Sequence, residues 1–124
     1  MTVNPADGIV LGALYGTDAM RAAFGETAWL QRMLDMEAAL ARAQARLGIV
    51  PEGAAAEITA AARAERLDRA KLAEETRNTG YPVVGLVKQL AALSGASGGW
   101  THWGATTQDI MDTALVLQMR DALD

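Results

Sequence analysis

The chain has 124 residues, of which 51% are hydrophobic, with 11 basic against 15 acidic side chains, a net charge of −4 and no cysteine. This is one domain's length with enough apolar content for a single core, which excludes a disordered chain; the lack of cysteine excludes disulfide and thiolate chemistry. No clustered Lys and Arg offer the footprint of a nucleic-acid binder, no run of about 18 apolar residues spans a membrane, and a lone histidine supplies no multi-histidine metal site.

The first thirty residues lack a basic region followed by an apolar one, so no signal peptide is read, and a cytoplasmic protein is the expectation. Residues 1–16 read as an extended, glycine-bearing arm. Thr17-Asp18 opens a short helix through Phe24, interrupted by Gly25. From about Glu26 to Leu47, the residues Trp29, Met33, Met36, Leu40, Ala43 and Leu47 recur at steps of four and three and predict a core-facing stripe. Gln31, Arg32, Asp35, Arg42 and Arg46 fall off it, and Gly48 supplies the stop.

Pro51 suits the first position of a helix running to about Arg66. A polar helix follows over Leu67 to Arg77, with Lys71, Glu74 and Glu75 on a solvated face. Asn78 to Pro82 breaks it, because glycine and the residue before proline both resist helix. The run from Val83 to Leu93 is apolar on most sides and predicts a buried helix. Ser94 to Gly99 reads as a flexible loop. A last helix starts near Thr107, and its Ile110, Met111, Ala114, Leu115, Leu117, Met119 and Leu123 cover more than one face. Such a helix wants neighbours on several sides, which predicts an oligomer, a longer chain, or both. No alternating strand pattern occurs, and the fold class read is all-α.

Residues 100–114, Trp-Thr-His-Trp-Gly-Ala-Thr-Thr-Gln-Asp-Ile-Met-Asp-Thr-Ala, hold the only histidine and two of the three tryptophans. Thr106 and Asp109 stand at capping-box spacing at the start of the last helix. A helix N-terminus offers free N–H groups to an anion, and Thr106, Thr107 and Gln108 add directed donors. His102, four residues before the cap, reaches the same anion if Gly104 folds the chain back, and it can act as donor or acid. Trp100 and Trp103 can exclude water and so strengthen each polar contact. No base stands beside a Ser or Thr, so the pattern is an anion cup and not a nucleophile site. The same residues also fit a well-capped helix with His102 in a packing role, and both readings stay open at this point.

His102 to Ala114 resembles the first signature region of the fumarase/aspartase/adenylosuccinate lyase superfamily, and Met36 to Gly48 resembles its N-terminal helix. Thr79-Gly80-Tyr81-Pro82-Val83-Val84-Gly85-Leu86-Val87 is most similar to the 3-carboxy-cis,cis-muconate cycloisomerase branch. Where purine-pathway lyases carry an Arg-His-Asp-type segment, this chain has Tyr81 and Pro82. The resemblance implies an N-terminal helical domain, residues 1–105, leading into the first long helix of a central helical bundle, begun by residues 106–124. It implies a cycloisomerase in which a carboxylate adds across a double bond to give 4-carboxymuconolactone in protocatechuate breakdown, the β-ketoadipate pathway, with no metal or organic cofactor.

On the matching positions, His102 would be the catalytic residue, while Thr106, Thr107, Gln108, Trp103 and Thr79 would bind a polycarboxylate substrate. Asp109 would hold the turn and Gly80 would line the same cavity. Family sites are built from three signature regions on three subunits of a homotetramer. The other two would lie beyond Asp124, so the 124-residue chain alone is expected to be inactive. The alternatives are a C–N lyase of the same superfamily, of the adenylosuccinate-lyase type, and a non-catalytic helical oligomerisation module.

Overall fold

The computed structural model describes residues 8–124, and all their regular structure is helical. In chain order the helices are α1 (Ile9–Tyr15), α2 (Asp18–Ala23), α3 (Glu26–Arg46), α4 (Glu52–Ala61), α5 (Arg69–Thr79), α6 (Pro82–Leu93) and α7 (Thr107–Leu123). Short 3₁₀ turns cover Ala64–Arg66 and Gly95–Trp100. Among the described residues no helix is long and apolar enough to cross a membrane.

Part of the expected N-terminal arm is helix instead. Residues 1–7 lie outside the described residues, but Ile9–Tyr15 coil into α1. The cause is a side chain outside α1: the Arg21 guanidinium of α2 donates to the carbonyls of Gly12 at 2.7 Å and Gly16 at 3.1 Å. Those bonds satisfy carbonyls that a helix end leaves without partners. The Thr17 start holds as read, since its hydroxyl accepts the Met20 N–H at 3.2 Å.

The α3 stripe is rotated from the expected one. Its buried residues are Leu30, Met33, Leu34, Glu37, Ala38 and Ala41, whereas Leu47 is 75% exposed. Trp29, Met36, Leu40 and Ala43 are only half-buried. α3 packs on α4 along one side and on α7 along another. Small Ala38 and Ala41 admit these close neighbours, so contact geometry, not side-chain size, selects the buried face.

α4 ends at Ala61, five residues earlier than the expected limit near Arg66. The Gln31 side chain of α3 takes over the backbone there: its amide donates to the Ala62 carbonyl at 3.1 Å, and its oxygen accepts the Ala64 N–H at 2.9 Å. One side-chain amide thus replaces two helical partners. The Ser94–Gly99 segment is also ordered, as the 3₁₀ turn Gly95–Trp100. Gly98 lies so close to α6 that a Cβ there would overlap the Ala91 carbonyl. Ser97 donates to Glu57 of α4 at 2.6 Å.

α6 buries one face, Val83, Leu86 and Leu90, with Val84, Val87 and Leu93 half-buried. Val83, Leu86 and Leu90 join Leu30, Met33, Leu34, Ile58, Ile110 and Ala114 in one core, with Val87 and Leu93 packed against it. α7 therefore shares the core of the preceding helices at its N-terminal half. Towards its end, Arg32 of α3 bonds Asp121 at 2.7 Å, and Gln118 donates to the Ala23 carbonyl at 2.9 Å. Its other side, Leu115, Val116, Met119 and Leu123, faces outward.

Candidate functional site

The segment between the 3₁₀ turn and α7 reverses the chain in six residues. His102 has φ 62° and Gly104 φ 71°, both in the left-handed region. A non-glycine residue at such a φ carries strain of order 1 kcal/mol or more and persists only where its surroundings hold it. Two polar residues of α3 supply the hold. Glu37 Oε1 lies 2.6 Å from His102 Nδ1, and Gln44 Nε2 donates to the Trp103 carbonyl at 2.7 Å. Seven residues separate Glu37 from Gln44, two turns of helix, so both project from one side of α3.

Glu37 is 1% exposed. Burial pushes its carboxyl above the ordinary value of 4.5, and the hydrogen bond and charge of His102 pull partly the other way. Its second oxygen, Oε2, has no hydrogen-bond partner within the described residues; Gln44 Oε1 and Thr101 Oγ1 share that condition. All three belong to the seam between α3 and the reversal. Buried polar atoms without partners are uncommon and mark places where a fold spends stability on something else.

Glu37 did not enter the candidate residues read from the sequence. A signal for it exists: Met33, Leu34 and Ala41 stand four before, three before and four after it. A carboxylate at that register of an apolar stripe is forced inside, where it requires a partner.

α7 begins as its spacing predicts. Thr106 and Asp109 form the capping-box arrangement, and the Thr106 N–H donates to the Asp109 carboxylate at 3.0 Å. Thr106 is exposed and Thr107 half-buried, beside first-turn N–H groups that have no acceptor inside a helix. The Gln108 amide turns back along α7 and donates to Asp112 at 2.6 Å. Trp103 is 49% exposed, its ring 5.2 Å from the half-buried Trp100. His102, Trp103, Thr106, Thr107 and Gln108 thus occupy one continuous turn and helix start. Thr79 stands elsewhere: its hydroxyl bonds the Glu75 and Tyr81 carbonyls, at 2.8 and 3.0 Å, in the corner between α5 and α6.

Among the described residues no group of three or more His, Asp or Glu side chains is placed to hold a metal ion. A groove of about 680 Å³ between α3 and α4, lined by Arg42, Arg46, Thr59 and Arg63, shares no lining residue with the His102 turn.

An all-helical protein with a histidine–carboxylate pair at the mouth of a capped helix is the class that these observations define. Residues 14–124 match the Lyase family, which takes in every residue of the site, and the chain belongs to that family. It is 50% identical over 117 residues to 3-carboxy-cis,cis-muconate cycloisomerase of Pseudomonas putida, covering 90% of this chain and 28% of that protein. It is 51% identical over 107 residues to nitrosuccinate lyase of Streptomyces davaonensis, covering 83% and 23%. The crystal structure of 3-carboxy-cis,cis-muconate lactonizing enzyme from Pseudomonas putida matches with a TM-score of 0.89 and 46% identity, over 94% of this chain and 28% of that one. The chain spans about a quarter of the length of these relatives.

Proposed function

We propose that these residues belong to an enzyme that lactonises 3-carboxy-cis,cis-muconate to 4-carboxymuconolactone, and that they bind a carboxylate of the substrate. In this reading the carboxylate sits at the N-terminus of α7, where helix N–H groups favour an anion. Thr106, Thr107 and Gln108 donate to it, with Gln108 giving up its bond to Asp112. His102 meets the substrate through Nε2, which donates or acts as acid when the imidazole carries a proton on both nitrogens, Trp103 screens the site from water, and Thr79 borders it from the α5–α6 corner. Residues 1–105 act as a helical domain, residues 106–124 open a longer bundle helix, and the working protein is a cytoplasmic homotetramer.

The observation that carries this reading is the 50% identity to the Pseudomonas putida cycloisomerase. The test is to express the complete reading frame that contains these residues and follow loss of the 3-carboxymuconate diene absorbance. Lactone formation at enzymatic rates, with KM raised at least about tenfold in Thr106→Ala, is the expected result, since losing a charge-assisted hydrogen bond costs roughly 1.5–3 kcal/mol. A second reading, a C–N lyase acting on a substituted succinate, draws on the equal likeness to nitrosuccinate lyase. Turnover of nitrosuccinate or a succinyl amine adduct, with none of the muconate, decides for it.

A further inference from the structure

The geometry points to Glu37 as the positioning residue for His102: its Oε1 accepts the Nδ1–H of the imidazole, which fixes the ring in the left-handed turn and leaves Nε2 as the nitrogen that meets the substrate. This inference rests on the carboxylate-binding reading for the identity of what Nε2 meets, but not for the state of the ring itself.

Three observations support it. The 2.6 Å Oε1–Nδ1 contact spans 65 residues of chain, joining the middle of α3 to the reversal before α7. His102 Nε2 has no hydrogen-bond partner among the described residues, and the side chain keeps 20% of its surface open, so one nitrogen is committed and the other free. Glu37 is enclosed by the apolar neighbours Met33, Leu34 and Ala41 and can serve no solvent-side purpose. A 2.6 Å contact between a ring nitrogen and a carboxylate oxygen needs one proton between them, and an Nδ1–H donating to Oε1 supplies it. Fixing a tautomer through one nitrogen determines what the other can do, as second partners of histidines generally do. Gln44 braces the same turn through the Trp103 carbonyl, so Glu37 has the ring to itself.

His102 is the only histidine of the 124 residues, so a long-range proton–nitrogen correlation spectrum of the ¹⁵N-labelled chain reads its two ring nitrogens without assignment. The expected spectrum has Nδ1 protonated and Nε2 bare whenever the ring is neutral, and Glu37→Leu, which offers Nδ1–H no acceptor, moves the neutral ring towards the Nε2–H form. A wild-type neutral ring that carries its proton on Nε2, or a folded Glu37→Leu chain with an unchanged tautomer, overturns the assignment. Should Glu37→Leu fail to fold, the wild-type spectrum alone still decides. In the protein from the complete reading frame, Glu37→Gln is expected to lower kcat at least about tenfold with little change in KM, because general acid or base groups contribute about 10²–10⁴-fold. A change in KM alone counts against a positioning role. Failure of the wild-type protein to turn over any of the three substrates sinks the functional reading, while the tautomer, read without substrate, still judges Glu37.

Discussion

At the scale of single residues, Glu37 and His102 depend on each other. Burial raises the Glu37 carboxyl above 4.5 more than His102 lowers it, so the folded chain holds that proton more tightly than the unfolded one. Stability from this group is fully present below the unfolded value and is lost as pH rises through the folded value. Glu37→Gln removes the titration. In matched urea melts from pH 4 upward, wild type is expected to lose stability relative to Glu37→Gln as pH climbs; a constant gap would contradict the raised carboxyl. His102 adds a conformational element, because its φ of 62° suits Asn better than Ala. His102→Ala leaves Glu37 buried without its partner and is expected to cost about 1–3 kcal/mol in unfolding free energy. His102→Asn should cost less, as it tolerates the left-handed backbone and can still donate to Glu37.

At the scale of elements, the Thr106–Asp109 cap and the proposed carboxylate site share a residue, and mutation separates the two roles. As a cap it stabilises α7, and Thr106→Ala should cost about 1 kcal/mol in thermal or urea melts. Asp109→Asn weakens the 3.0 Å bond from the Thr106 N–H and should cost a similar ~1 kcal/mol. In the proposed reading the two substitutions diverge in function: Thr106→Ala removes a proposed substrate donor, whereas Asp109→Asn leaves the proposed donors in place, so KM is expected to rise for the first and stay near wild type for the second. Equal effects on KM would reduce Thr106 to a cap.

These local devices were legible in the sequence because each is built from neighbours: the Thr17 and Thr106 starts, the Gly48 stop and the Gly80 break all stand where spacing places them. What escaped is tertiary. α1 needs Arg21 to cap it, α4 stops early because Gln31 reaches across from α3, and Gly98 orders a glycine-rich turn by pressing against Ala91. The candidate site divides in the same way, since its α7 half is contiguous in sequence. Glu37, 65 residues upstream of His102, is legible only through the Met33, Leu34 and Ala41 face of α3, which packing selects over the stripe of larger side chains.

At the scale of the whole molecule, α3 is the axis on which the structure turns, with α4 and α7 on two of its sides. α7 spends only one of its faces on that arrangement. Ile110, Ala114 and Gln118 point inward, while Val116, Met119 and Leu123 recur at steps of three and four on the outer side, Val116 62% exposed and Leu123 87%. The outer surface of α1 adds Ile9, Val10 and Leu14 to the apolar groups left in water. In the proposed homotetramer a second copy would cover such surface, at about 25 cal/mol for each Å² removed from water. The double substitution Val116→Glu/Met119→Glu tests this without touching the core, since neither residue belongs to it. Each change should move the unfolding free energy by no more than about 0.5 kcal/mol, as exposed positions usually do, and the helical circular-dichroism signal should be unchanged. Sedimentation velocity on the protein from the complete reading frame is expected to give an oligomer for wild type and a smaller species for the double variant. Identical sedimentation of the two would mean that the outer face of α7 takes no part in assembly.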